Sequence, residues 1–223
     1  MIKTQINHQD KPVVLVVGES DFVDYFLQEA LAKLHCQVVR AKPEELVKLA
    51  LARFDYCFYL PEKFNKSLLQ SLARLTEKFA GKLLIGTENF FDQGEFEKLK
   101  TWPKLDCRWV VWQEVYGPKM AVKKRGAVSK LVRRAVEGGT ISVVDNGSAK
   151  IYPVFVADLV YQLTKLIFSP RTKKRAYQLR PPAISCLSAA LEVQRLTAGQ
   201  TKIAFVRRES KKEAKLGRLE EIE

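Results

Sequence analysis

Short apolar stretches separated by helical segments set the fold class of this 223-residue chain, the first of them unbroken by any polar residue. Residues 12–17 (PVVLVV) run straight into Gly18, and Asp55–Leu60, Lys82–Ile85 and Cys107–Trp112 read as further strands. A run apolar on both faces suits a strand covered on both sides, as in a parallel sheet. The intervening segments carry helical stripes. Ser20 or Asp21 can cap a helix bearing Val23, Leu27, Leu31 and Leu34. Cys36–Arg40 reads as another strand, and Pro43, Glu44 and Glu45 open a further helix. Leu68, Leu72, Leu75 and Phe79 stripe a helix that Gly81 ends. Strands alternating with amphipathic helices are the sequence form of right-handed βαβ units, so the class is α/β.

The later half continues less regularly. A basic helix from Ala127 ends at Gly138 and Gly139, followed by a strand at Ile141–Val144 and a helix over Val156–Phe168. A strand at Ala176–Leu179, a helix over Ile184–Leu196 and a last strand within Thr201–Val206 complete the pattern. Residues 207–223 alternate Lys and Arg with Glu and read as a mobile charged tail.

Composition bounds what such a chain does. At 47% apolar and 28% charged residues it is ordinary for a soluble domain, and no apolar run nears the ~20 residues of a membrane span. Residues 1–11 are polar and lack a signal-peptide core, which places the chain in the cytosol. Cys36, Cys57, Cys107 and Cys186 lie far apart and read as buried free thiols; with His8 and His35 alone, no zinc site is expected. The net charge of +13 is uneven: residues 1–100 carry 14 basic and 14 acidic side chains, and residues 101–223 carry 24 and 11. Lys119–Arg134 and Lys165–Arg180 contain no acid. Such a field attracts phosphates of any kind, or is a solvated face.

Tyr116-Gly117-Pro118, then Asp145-Asn146-Gly147, then Pro153 through Val160, keep a recognisable order and spacing. This series resembles the C-terminal half of the extended short-chain dehydrogenase/reductase family, the NAD-dependent epimerases and dehydratases of nucleotide sugars. The resemblance implies a Rossmann-like parallel sheet flanked by helices, with a small C-terminal substrate-type lobe. Residues 11–206 then form a single NAD(P)-binding-type domain, 11–118 its dinucleotide core and about 119–206 the part including the lobe, with 207–223 as tail.

In that family the first strand leads into G-x-x-G-x-x-G, whose bare backbone meets the pyrophosphate. Here Gly18 survives, while Asp21 and Asp24 take the other two glycine places and oppose NAD or NADP in the usual pose. The resemblance makes Gly18, Ser20, Arg40 and Thr87 the cofactor-binding candidates. Arg40 ends the second strand, where a basic residue suits NADP, although a surface arginine is the plainer reading. Tyr59 stands in a place where the family has His.

The family's general acid/base is a Tyr with a Lys four residues later on one helix. Between Asn89 and Asp106 there is no Tyr, and the interval is short for the usual helix. Tyr59–Lys63 spans Pro61, so those side chains need not share a face, and Tyr161–Lys165 lies on the later helix; both read as chance matches. Thr87 takes the place of the catalytic Ser/Thr but has no base beside it. Tyr116, Gly117 and Lys150 are the substrate-binding candidates, Lys150 standing where the family has a diphosphate-gripping Arg. Packing accounts for Tyr116, Phe155 and Leu159 as core residues. Glu114 replaces the Asn of the family's N-V-Y-G-P, turning a donor into an acceptor.

No catalytic residue is therefore assigned. The expected protein is a degenerate, shortened member that is catalytically inactive and binds a nucleotide-type or polyanionic ligand or serves as a scaffold. Two alternatives stand open: an active nucleotide-sugar epimerase, dehydratase or reductase using NAD(P), and a basic module for nucleic acid or an anionic membrane surface.

Overall fold

A computed structural model describes residues 11–19, 21–46, 53–120, 126–197 and 201–207. In chain order the elements are β1 (Val13–Gly18), α1 (Asp21–Lys33), β2 (Gln37–Ala41), β3 (Tyr56–Leu60), α2 (Lys66–Lys78), β4 (Lys82–Glu88), α3 (Gln93–Thr101), β5 (Asp106–Trp112) and β6 (Glu114–Tyr116). They continue as α4 (Ala127–Val136), β7 (Ile141–Val144), β8 (Lys150–Ile151), β9 (Pro153–Phe155), α5 (Val156–Phe168), β10 (Arg175–Gln178), β11 (Ile184–Ser185), α6 (Cys186–Leu196) and β12 (Ile203–Val206). The chain divides into two compact units: Met1–Trp112 with Val156–Gln178, and Gln113–Phe155 with Leu179–Glu223.

The first unit is a six-stranded, all-parallel sheet in the order β2-β1-β3-β4-β5-β10. Its strands read as continuous apolar runs because both faces are covered. Leu15, Val17, Cys57, Tyr59, Leu83, Ile85, Cys107 and Trp109 pack with Leu69, Leu72, Phe96 and Leu99 of α2 and α3. Against β4 and β5 lies α5, which also packs on α1.

Arg108 on β5 is fully buried, an expensive place for a charge unless it is paired. Its Nε donates to Thr172 Oγ1 at 3.0 Å and its Nη2 to Asp106 Oδ1 at 2.7 Å. Burial pushes the guanidinium below its ordinary value, against the upward pull of Asp106. The side chain thus ties β5 to the 3-10 turn Pro170–Thr172 that leads into the edge strand β10.

Several boundaries differ from the sequence reading for local reasons. Leu34 lies past the end of α1 and is 51% exposed, with His35 taking the left-handed conformation (φ 57°). Pro43–Glu45 forms a 3-10 turn; the rest of the helix expected there falls outside the described residues. At the end of α2 the left-handed residue is Ala80 (φ 53°), one place before Gly81. Gly81 is required instead by close approach, since a Cβ there would meet the Asp55 carbonyl at 3.0 Å. Ile184 and Ser185 are strand, so α6 begins at Cys186, where the Ser185 hydroxyl accepts from the Ser188 N–H. Phe155 is 37% exposed and Tyr116 half-buried, so of the three expected core residues Leu159 alone is fully enclosed. All four cysteines are free; Cys57 and Cys107 are buried, while Cys36 and Cys186 are half-buried. Burial pushes the Cys107 thiol up to about 11.

In the second unit α4 and α6 pack on the parallel pair β7–β12 around Leu131, Ala135, Ile141, Val143, Ala189 and Ala190. β6 pairs with β9 in parallel, and β8 with β11 antiparallel. The Asp145-Asn146-Gly147 string is a turn: Asn146 Oδ1 accepts from the Ser148 N–H, and Gly147 (φ 69°) leaves no room for a Cβ beside Val143 and Leu187. The tail residues 208–223 lie outside the described residues. Among the described residues no helix is long and apolar enough to cross a membrane.

Replacing Arg108 by Ala is expected to destabilise the protein by about 3 kcal/mol, because the Asp106 carboxylate and the turn lose their shared donor. Thr172→Ala should cost about 1 kcal/mol. Urea denaturation of both variants measures the difference.

Candidate functional site

In a doubly wound sheet ligands bind beyond the carboxyl ends of the strands, where the strand order reverses. Here that point lies between β1 and β3, and Gly18 closes β1 beside it. A Cβ on Gly18 would sit 2.7 Å from Asp24 Oδ2, so the glycine makes room for a carboxylate. Asp24 is fully buried, and its Oδ2 accepts from Arg40 Nη2 at 3.2 Å. The aspartate at the third glycine place therefore points inward and fastens α1 to the end of β2. Arg40 is committed to that pair, its side chain 33% exposed. Ser20 and the side chain of Asp21 lie outside the described residues.

Above this edge opens a cleft of about 460 Å³, lined by Glu19, Pro43, Tyr59, Lys63, Phe64, Asn65, Lys66, Ser67 and Leu68. Its residues come from the ends of β1, β2 and β3 and the first turn of α2. Asn65 caps α2, its side chain accepting from the Leu68 N–H at 3.1 Å. Lys66 pairs at 2.7 Å with Glu95, a buried carboxylate of α3 that also accepts from Gln70 Nε2 at 2.8 Å. Burial alone would push Glu95 up; the Lys66 ammonium and the Gln70 amide outweigh it and hold the carboxyl below its ordinary range. Lys63 makes no ion pair among the described residues, so its charge is available to a ligand.

Tyr59 and Lys63, which Pro61 left free to diverge, line the same cleft. The phenol is nevertheless tied down. It accepts from the Asn65 N–H at 3.1 Å and donates to the Asn65 carbonyl at 3.2 Å. Burial raises its pKa, the hydrogen bond to Asn65 opposing and the nearby Glu19 adding to the rise. A proton acceptor near neutral pH needs the opposite shift. On α5, Lys165 Nζ lies 5.7 Å from the Tyr161 ring centroid, and Tyr161 is 60% exposed, a surface cation–π pair.

The next stretch of the sheet edge, over β4 and β5, is closed by aromatic rings. Thr87 is 3% exposed; its hydroxyl accepts from Trp109 Nε1 at 2.8 Å and donates to the Phe90 carbonyl. Trp109 is fully buried, with Phe64 stacked at 5.4 Å, Phe91 edge-on at 5.2 Å and Phe90 tilted at 6.4 Å. Phe64 and Phe90 lie 4.9 Å apart. The nine-residue α3 stands where a longer, phenol-bearing helix was sought, and it offers Phe96 to the same cluster at 6.0 Å from Trp109.

In the second unit Tyr116 ends β6, its ring 5.5 Å from Phe155, and Gly117 follows. Lys150 lies on β8 with its side chain exposed, opposite Ser185 of β11. The three substrate candidates thus fall on two separate strand pairs. Glu114 has the clearest task. Its carboxylate accepts from the N–H groups of Ala127 at 2.8 Å, Val128 at 2.7 Å and Ser129 at 3.4 Å. It reaches the first turn of α4 from thirteen positions upstream and fills the place an anion would take there. Gly126 permits this, since a Cβ would overlap the carboxylate.

Of the candidates taken from the sequence, Gly18 and Arg40 meet through Asp24, while Thr87 stands apart on β4. Lys63, Phe64, Lys66, Phe90 and Trp109 were not anticipated; Asn65 as a helix cap beside two lysines, and the paired Phe90 and Phe91, were the signals available.

No protein-family model and no curated protein matches the sequence. Solved structures do resemble it. An epimerase from Methanothermobacter thermautotrophicus superposes with a TM-score of 0.74 at 14% identity, over 90% of this chain and 81% of that one. UDP-glucose 4-epimerase from Thermotoga maritima, solved with UDP-glucose, gives 0.72 at 12% identity, over 88% and 86%. The Bordetella bronchiseptica enzyme WbmF, in complex with NAD+ and UDP, gives 0.71 at 16% identity, over 89% and 81%. The fold is thus the Rossmann-like one of the NAD-dependent nucleotide-sugar epimerases and dehydratases, as the sequence led one to expect.

Glu114→Ala should lower stability by about 1–2 kcal/mol, because three helix N–H groups lose their acceptor, and Glu114→Gln by less; thermal unfolding of both variants compares them. The lowered pKa of Glu95 also carries a sign. Its contribution is present above the unfolded carboxyl value of about 4.3 and is lost as pH falls through the lower folded value. The urea midpoint of the wild type should therefore drop more steeply than that of Glu95→Gln below about pH 4.3.

Proposed function

We propose that this protein is a pseudoenzyme of the epimerase/dehydratase fold: a cytosolic module that binds a nucleotide-type, phosphate-bearing ligand without transforming it. The observation that carries this is the state of the Thr87 hydroxyl, held between the Trp109 indole and the Phe90 carbonyl beneath stacked aromatic rings. A hydroxyl so engaged has no proton to exchange with a substrate. The phenol of Tyr59 is held by the Asn65 backbone with its pKa raised, which supports the same reading.

The residues present do not fit the usual dinucleotide pose. A buried carboxylate stands against Gly18, and Arg40 is engaged by it rather than presented to a ribose phosphate. Binding of a smaller phosphate ester is supported by the cleft over β1–β3, where Lys63 offers a charge and Pro43, Phe64 and Leu68 offer apolar walls. Structures of the same fold hold UDP-glucose or UDP, so a nucleoside diphosphate, free or sugar-linked, is the class we assign. The excess of basic residues in 101–223 favours approach of such an anion.

Native mass spectrometry of the purified full chain is expected to show a retained or readily added nucleoside diphosphate. Incubation with UDP-glucose or dTDP-glucose plus NAD+ or NADP+ should return the sugar unchanged by chromatography. Turnover of either sugar would refute the non-catalytic assignment.

A further inference from the structure

The C-terminal edge of the sheet is open over β1–β3 and closed over β4–β5, and this division carries a second conclusion about the ligand. The cleft of about 460 Å³ lies toward the small end of ligand pockets, which run about 300–1,000 Å³. A dinucleotide seated in it would have to continue along the edge from β3 toward β4. That path meets Phe64, which lines the cleft, and then Phe90, 4.9 Å from it. Phe90 is held from below by its own carbonyl, which accepts from Thr87, and by Trp109. Phe64 is both the end wall of the cleft and the first ring of the cap.

We infer that the cleft takes one nucleoside with its phosphates and rejects a dinucleotide, with Phe90 as the side chain that occupies the second nucleoside's place. The inference rests on the nucleotide-binding reading above and adds the size and the gate. Lys63 holds the phosphates, and the base packs among Pro43, Phe64 and Leu68. Phe90 is 41% exposed, so it can be shortened without opening the core, unlike the fully buried Trp109.

Isothermal titration of the full chain with UDP, ADP, NAD+ and NADP+, in wild type, Phe90→Ala, Phe90→Leu and Lys63→Met, tests this. In the wild type a nucleoside diphosphate should bind at least about tenfold more tightly than either dinucleotide, and Lys63→Met should weaken that binding about tenfold. Phe90→Ala should bring dinucleotide affinity to within a few-fold of the diphosphate's while leaving the latter unchanged, with Phe90→Leu intermediate. Dinucleotide binding as tight as that of the diphosphate in the wild type overturns the gate and leaves the nucleotide reading standing. An unchanged ratio in a folded Phe90→Ala or Phe90→Leu protein overturns it equally. If no nucleotide of either kind binds, the nucleotide reading itself falls.

Discussion

A charge buried in a protein has to find its counter-charge, and the carboxylate of Asp24 finds Arg40. That pair joins the first turns of α1 to the end of β2 across the last residue of β1, and Gly18 is glycine because the carboxylate needs the volume. The usual logic of this loop runs the other way: glycines keep the backbone bare so that a pyrophosphate can come down onto the helix N-terminus. Here the protein supplies its own negative group from beneath and consumes the nearby positive one. The charge left uncommitted at this edge is then a rim side chain, Lys63, rather than the loop backbone.

The same exchange of outward for inward contacts governs the next strands. A longer helix would project polar side chains over the ends of β4 and β5; the nine-residue α3 does not, and aromatic rings take up the volume. Stacked and edge-on rings around one indole form a cluster in which the Thr87 hydroxyl satisfies the indole N–H. Buried polar groups need partners, so a hydroxyl enclosed in this way serves packing.

How far the sequence could be read follows from the range of the interactions. Strand β1 was legible as an unbroken apolar run and β3, β4 and β5 as short strands, and α5 and β7 were placed close to their bounds, because each announces itself within a few positions. The pairs β6–β9 and β8–β11 were not read as strands in their own right, since two or three residues carry no periodicity. Glu114 was recognised as an acceptor replacing a donor, but its partners lie thirteen to fifteen positions along the chain, in a helix whose approach no local pattern encodes. Asp24 was read as an acid in a glycine place that opposes a dinucleotide, and Arg40 as a surface cation; their union crosses sixteen positions and depends on the β1–β2 pairing. Tyr59 and Lys63 were read as a chance pair that need not share a face across Pro61, and both line one cleft.

Three carboxylates thus do structural work inside the molecule: Asp24 with Arg40, Glu95 with Lys66 and Gln70, and Glu114 at the head of α4. Each meets a positive group or dipole that would otherwise face an anion. Asp24 and Glu95 belong to the balanced first hundred residues, and Glu114 is one of the 11 acids that stand against 24 basic residues in the later half. The later half therefore keeps an excess of positive charge, while the positions beside Gly18 and at the head of α4 are filled by the protein's own carboxylates. Long-range attraction raises the rate of encounter, but retention requires a cation that is near and uncommitted. Around the described cleft Lys63 answers that description and Lys66, held by Glu95, does so less well. An attraction resting on so few contacts is modest and sensitive to salt.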